Sequence, residues 1–237
     1  MGKRKSRVPI PAGIEHALDG ALDKALAVQR PIVLGYLNRI RSRRPDASPA
    51  QVVEQLEHRY LGAVVGIGAA SGGAAALPGV GTAASLATGA AEVTAFVGAT
   101  AMYVLALAEL HGVPVSDPQV RRALVLSALV GEGDVAALEA LGEGSKHWAQ
   151  VIGRRGSKEN LAGLNGRLGH LLLTRFGARQ GVLLFGRAVP LGIGAGIGAV
   201  GNAALARTAV KAARRAFGPP PAKFPPKIVD VPAVPER

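Results

Sequence analysis

Between Arg59 and Glu109 the chain carries one charged side chain, Glu92, set in a run of alanine, glycine, valine and leucine. A carboxylate in an apolar helix is costly unless it is protonated, paired or turned to water. Glu92 is therefore the residue whose position most invites chemistry. A structural partner, such as an arginine from elsewhere, is the commoner fate of such an acid than proton handling. The five histidines, His16, His58, His111, His147 and His170, are scattered, and none forms a ligand pair at helical spacing. Surface or structural roles are expected for them. The chain has no cysteine, which removes disulfides and thiolate chemistry, and it has neither a Walker loop nor a serine-nucleophile elbow.

One glycine motif needs a decision. Gly196-Ile197-Gly198-Ala199-Val200-Gly201 matches the dinucleotide fingerprint in letters. No β-branched strand precedes it, and the next acid, Asp230, lies in a proline-rich tail and not at the end of a second strand. Read as a helix, the segment places Gly192 and Gly196 on one face and Gly194, Gly198 and Gly201 on another, with Ile193, Ile197 and Val200 as the ridge between them. Small residues at such spacing let helices approach closely, and the pairs Gly62/Gly66 and Gly68/Gly72 repeat the pattern earlier in the chain. Helix packing is the expected use.

The elements that would position these residues are helical. Ile14, Leu18, Leu22 and Leu26 form a four-residue stripe, and a second helix runs through Val33, Leu37 and Ile40 into Arg41, Arg43 and Arg44 before Pro45. Ser48-Pro49-Ala50-Gln51 reads as a capping box opening a helix through Val52, Leu56 and Tyr60. Pro78-Gly79 supplies the central pair of a type II turn, which divides the first apolar region into a hairpin of residues 61–77 and about 82–110. Ser116-Asp117-Pro118-Gln119 reads as a second capping box, for a helix that Gly131 ends. A short helix is expected after Asp134, and a polar, glycine-rich loop containing another over residues 142–160. Helix signal resumes near Leu161. A second charge-free region, Ala188 to Ala206, turns near Val189-Pro190-Leu191-Gly192 and leads into a basic helix, Arg207–Phe217.

These elements predict an all-α fold: a bundle with two Gly/Ala-rich apolar helical hairpins. The expected organisation is a basic tail over 1–12, one helical domain over 13–217 and a disordered proline-rich tail over 218–237, where seven prolines fall in twenty residues.

Hydrophobic residues make up 49% and aromatics 4%, so the apolar mass is aliphatic and small. The net charge of +12 is uneven: residues 1–44 carry +7 and residues 154–218 carry +10, while the middle is acidic. Basic blocks beside apolar segments point to an anionic membrane surface, with Arg41, Arg43, Arg44, Arg207, Lys211, Arg214 and Arg215 as lipid-contact candidates. Nucleic acid would attract the same charge, but the aromatic platforms that grip single strands are nearly absent. Acidic residues interrupt any signal-peptide core, which places the expected protein on the cytoplasmic side of a membrane or, alternatively, soluble in the cytoplasm. Arginine outnumbers lysine 20 to 8, a balance associated with GC-rich bacterial genomes.

The order of Ala76-Leu77-Pro78-Gly79-Val80-Gly81-Thr82, Arg121-Arg122-Ala123-Leu124, Val189-Pro190-Leu191-Gly192 and Gly198-Ala199-Val200-Gly201-Asn202 resembles the EcsC family of bacterial proteins over residues 50–215. The resemblance implies a helical, membrane-associated protein without an established activity, named from a gene beside an ABC transporter. A membrane transporter or an envelope protein becomes the candidate partner. A peptidase label attached to some members keeps a hydrolase as the alternative activity. The resemblance transfers no catalytic residue, and no cofactor, metal or small-molecule ligand is expected. A non-enzymatic interaction or accessory role is the leading expectation, with nucleic-acid binding through the arginine blocks behind it.

Overall fold

The computed structural model describes residues 20–27, 30–75, 82–131, 147–155, 158–187 and 193–225, with the backbone alone for 74–75, 82–89, 154–155, 158, 175–187 and 193–197. Among the described residues there are helices and no strands, and the helices pack as an all-α bundle. In chain order they are α1 over 20–26, α2 Arg30–Ser42, α3 Pro49–Ala75, α4 Thr82–Leu110, α5 Pro118–Val130, α6 Trp148–Arg155, α7 Lys158–Arg187 and α8 Ile193–Phe217.

Local chemistry explains where several of these begin and end. At α3 the capping box closes reciprocally: the Ser48 N–H donates to Gln51 Oε1 at 2.8 Å, and the Gln51 N–H donates to Ser48 Oγ at 3.4 Å. The expected second box does not close. Asp117 caps α5 instead, its Oδ1 accepting from the Gln119 N–H at 2.7 Å, with Pro118 at the first position. The Gln119 side chain is drawn away to α7, where it accepts from Asn165 Nδ2 at 2.8 Å. Gly131 ends α5 at φ +77, a conformation that suits glycine, and its N–H donates to the Ser127 carbonyl.

Two pairs of expected segments merge. The capped helix and the first apolar arm form the single α3, and the second apolar region and the basic helix form the single α8. Uninterrupted helix propensity across Tyr60–Leu61 and Ala206–Arg207 leaves no reason to stop. The turns expected at Pro78-Gly79 and Pro190-Leu191, and the helix after Asp134, lie outside the described residues.

α3 packs along α8 and against α4. Glu57 pairs with Arg214, Val64 meets Asn202 and Gly68 meets Gly198, so numbers rise along α3 as they fall along α8, and the two are antiparallel. Tyr60 stacks on Tyr103 and bonds Thr100, while Asn202 bridges Val64 to Glu92, so numbers fall along α4 as they rise along α3 and these two are antiparallel as well. α5 packs on α4, α7 and α8. By this register, α3 finishes and α8 starts at one end of the bundle, and α3 starts and α8 finishes at the other. The first is called the apolar end below, the second the cleft end. α3 is 27 residues long, about 40 Å at 1.5 Å per residue.

Among the described residues Leu37, Ile40, Val52, Leu56, Leu105, Leu110, Leu126 and Ile152 are essentially removed from solvent. Residues 218–225, expected to be disordered, are placed against the cleft end. Phe224 packs against the core under Arg41, whose guanidinium carbon lies 4.3 Å from the ring centroid, and Pro225 reaches Gly112. The tail has little periodicity, and one aromatic under one cation is its visible contact with the formed surface.

Candidate functional site

Two polar arrangements on α3 and α8 stand out among the described residues. The first lies where α3 and α8 cross. A methyl built on Gly68 would fall on the Gly198 carbonyl, and one built on Gly198 would fall on the Gly68 carbonyl, so the backbones touch without side chains between them. One turn along α8, the buried Asn202 donates through Nδ2 to Glu92 Oε1 at 3.1 Å and, at 3.4 Å, to the Val64 carbonyl. Glu92 is only 6% exposed. Asn202 thus ties α8 to α4 and α3 together, and the solitary carboxylate has an amide donor on the second apolar region. A buried polar group satisfied in this way adds register specificity to that of the glycine contact beside it.

The second arrangement is a cleft of about 470 Å³ at the other end. Its walls come from α3 (Ala50, Val53, Glu54, Glu57), the end of α4 (Leu107, His111), the end of α8 (Ala213, Arg214, Phe217) and the Gly218–Pro220 segment. Glu54 and Glu57 are three apart on α3, which puts both carboxylates on one face. Glu57 is buried and takes a bidentate pair from Arg214, Nε to Oε1 at 2.8 Å and Nη2 to Oε2. The carboxylate raises the guanidinium pKa further, through the hydrogen bond first and the charge second. Arg214 is 67% exposed at its side chain, so solvent screens much of the attraction and the pair's net worth is modest. Glu54 is exposed at the mouth.

Behind Glu57 stand two tyrosines with rings 4.6 Å apart and nearly parallel. Thr100 Oγ1 donates to the Phe96 carbonyl, so the Tyr60 hydroxyl must be the donor to Thr100 Oγ1 at 2.9 Å. Burial pushes the Tyr60 pKa up to about 12. Burial first, and the Glu57 carboxylate second, raise that of Tyr103 further. Neither phenol is available as an acid or nucleophile near neutral pH. His111 donates from Nδ1 to the Leu107 carbonyl at 2.8 Å, which leaves Nε2 as the ring's lone-pair nitrogen. Burial lowers its pKa, against the opposing pull of the Leu107, Gly218 and Pro219 backbone. The imidazole is uncharged at neutral pH. Among the described residues the cleft offers an apolar wall, an ion pair on the floor and a carboxylate at the rim.

The residues singled out from sequence divide among these places. Glu92 and Gly198 meet at the crossing, while Gly201 is half-buried on α8. Gly194 and Gly196 lie in the first turns of α8, within the backbone-only stretch, and Gly192, Pro78 and Gly79 lie outside the described residues. Gly62 and Gly66 correct the earlier reading: they face outward on α3, with open space where a side chain would go. Of the basic candidates, Arg207, Lys211 and Arg215 are exposed along α8. Arg214 is engaged by Glu57. Arg41 lies on Phe224, and Arg43 and Arg44 lead into the start of α3, so this block belongs to the cleft end and is not grouped with Arg207. Adjacency to apolar segments along the chain did not translate into adjacency in space.

Sequence reading missed Glu54, Glu57 and the Arg30–Glu109 pair, whose nitrogens lie 2.6 and 3.0 Å from the Glu109 carboxylate. The i, i+3 spacing of Glu54 and Glu57 was visible. Their cation lay 157 residues away, and no local signal marks such a partner. No family model matches the chain, and no curated protein or solved structure matches it either.

Proposed function

We propose that the protein is a non-enzymatic, membrane-associated helical protein of the EcsC type that docks on the cytoplasmic face of an anionic membrane through its apolar end. One observation carries the reading. Along the exposed stripes of both α3 and α8, charge gives way to small apolar residues in the same direction: Glu54 and His58 to Gly62, Ala63, Gly66 and Ala70 on α3, and Arg215, Lys211 and Arg207 to Ala204 and Val200 on α8. Val200 is 71% exposed, one of the two most exposed large apolar side chains described. Ala90, Ala91 and Ala95 extend the same uncharged surface on α4. A coherent change on neighbouring helices fits an interface in which apolar tips enter the headgroup boundary while Arg207 and Lys211, about 10 and 16 Å behind Val200, stay with the phosphates.

Docking suits the geometry better than crossing. Among the described residues one helical stretch, Ala90–Leu110, is long and apolar enough to span, and 72% of its most apolar window is buried against the bundle's own helices. Arg187 ends α7 six positions before α8 begins at Ile193, and a cation that close along the chain favours shallow seating over a simple span.

Cosedimentation of untagged protein with vesicles tests this. Binding to phosphatidylglycerol-containing vesicles that high salt reverses is the expected result, with little binding to phosphatidylcholine alone. Retention through both salt and carbonate would mean insertion. Failure to bind either vesicle would overturn the proposal.

A further inference from the structure

We infer that the cleft between α3, α4 and α8 is a binding site for a small amphiphilic organic cation, an amine carried on an aliphatic or aromatic body. The claim is independent of the membrane reading, because the cleft lies at the opposite end from the surface proposed to meet lipid. Its volume, about 470 Å³, is within the range of small-molecule pockets, and most of its walls are apolar: Ala50, Val53, Leu107, Ala213, Phe217 and the prolines at 219 and 220. An apolar body is what such walls would cover.

The charge balance selects the head group. Glu57 and Arg214 neutralise each other through two hydrogen bonds. Glu54 also feels Arg214, but among the described contacts it makes no hydrogen bond or ion pair. His111, with its pKa lowered by burial, adds no positive charge at neutral pH. Among the lining residues two carboxylates face one guanidinium, so the lining itself carries one net negative charge, with the Glu54 carboxylate at the rim and the other arginines of this end outside the lining. An ammonium seated there gains a charge-assisted hydrogen bond to Glu54, while an anion meets repulsion from Glu54 and finds two guanidinium nitrogens already committed to Glu57. Gly218, at φ +76 and packed against the His147 ring, turns the chain so that the two prolines close one side of the cleft without flexible side chains that would fill it.

Calorimetric titration of the full chain with three probes of one body and different heads tests the inference: 4-phenylbutylamine, 4-phenylbutanol and 4-phenylbutyrate. Saturable binding of the amine, roughly tenfold tighter than the alcohol and tighter still than the acid, is expected from one charge-assisted hydrogen bond. Glu54→Gln should remove the amine's advantage over the alcohol, and Glu54→Lys should turn the preference toward 4-phenylbutyrate. Glu54 is exposed, so both variants should fold, which melting curves verify. Val53→Phe, which fills the cleft, should weaken all three probes. No saturable amine binding, equal affinity for the three heads, or an amine preference that survives Glu54→Gln would each overturn the assignment.

Discussion

The α3–α8 seam is held at its two ends by opposite means. Toward the apolar end, Gly68 and Gly198 let the backbones touch, and nothing there can move aside to admit a methyl. Toward the cleft end, Glu57 and Arg214 reach across with long side chains, and half the pair is in water. The first contact is specific because it is rigid. The second tolerates adjustment but depends on charge. A helix pair locked at one point and tethered at another keeps its register while leaving a cleft beside the tether, where the side chains do not fill the space.

The sharpest way to break this contrast is to enlarge the rigid contact. Gly198→Ala should destabilise the fold by about 1–3 kcal/mol, since the added methyl meets backbone and the helices must separate. Gly198→Leu should cost more or prevent folding. Equal melting temperatures for Gly198→Ala and wild type would show that the seam is looser than described. At the tethered end, Arg214→Ala leaves the buried Glu57 carboxylate without its guanidinium. Losing such a partner is severe when both groups are buried, but here the cation's exposure brings the expected loss to about 1–2 kcal/mol. Urea unfolding would measure it, and a loss above that of Gly198→Ala would reverse the ranking of the two ends.

The cleft end should also respond to pH. His111 titrates below its ordinary value because burial disfavours the charged ring. The unfolded chain then binds the proton first, so the stability tied to neutral His111 is present above its unfolded pKa of 6.5 and is lost as pH falls toward the lowered folded value. His111→Gln should flatten that part of the stability profile. An unchanged slope in the variant would assign the dependence to another group. The smallest effect is expected at Gly62, which lies on α3 with open space around it: Gly62→Ala should be neutral or stabilising by up to about 1 kcal/mol through helix propensity. A destabilised Gly62→Ala would mean that something covers this face in solution.

Much of the local architecture is legible in the sequence. The Ser48–Gln51 box, the stop at Gly131 and the all-helical content depend on interactions within a few residues, and these operate wherever the chain goes. The reading failed where local signals competed with distant ones. Gln119 matched a capping box, yet Asn165, 46 residues away, took its side chain. Gly62/Gly66 and Gly68/Gly72 look alike as strings, and only packing separates an outward face from a buried one. The proline-rich tail carried no periodicity to reveal that Phe224 would meet Arg41.

Sequence alone therefore determined the helices, two of their caps and the uneven distribution of charge, because propensity, capping and composition are short-range or global properties. Tertiary structure decided the partners. Glu92 was recognisable as a costly acid, but that its donor would be Asn202, 110 residues on, follows from the way α4 and α8 both pack along α3. The same packing made one cleft from Glu54, Glu57, His111 and Arg214 and separated Arg41 from Arg207. Such pairings depend on which helix faces which. That choice is set by the summed burial of many small side chains, and no single residue announces it.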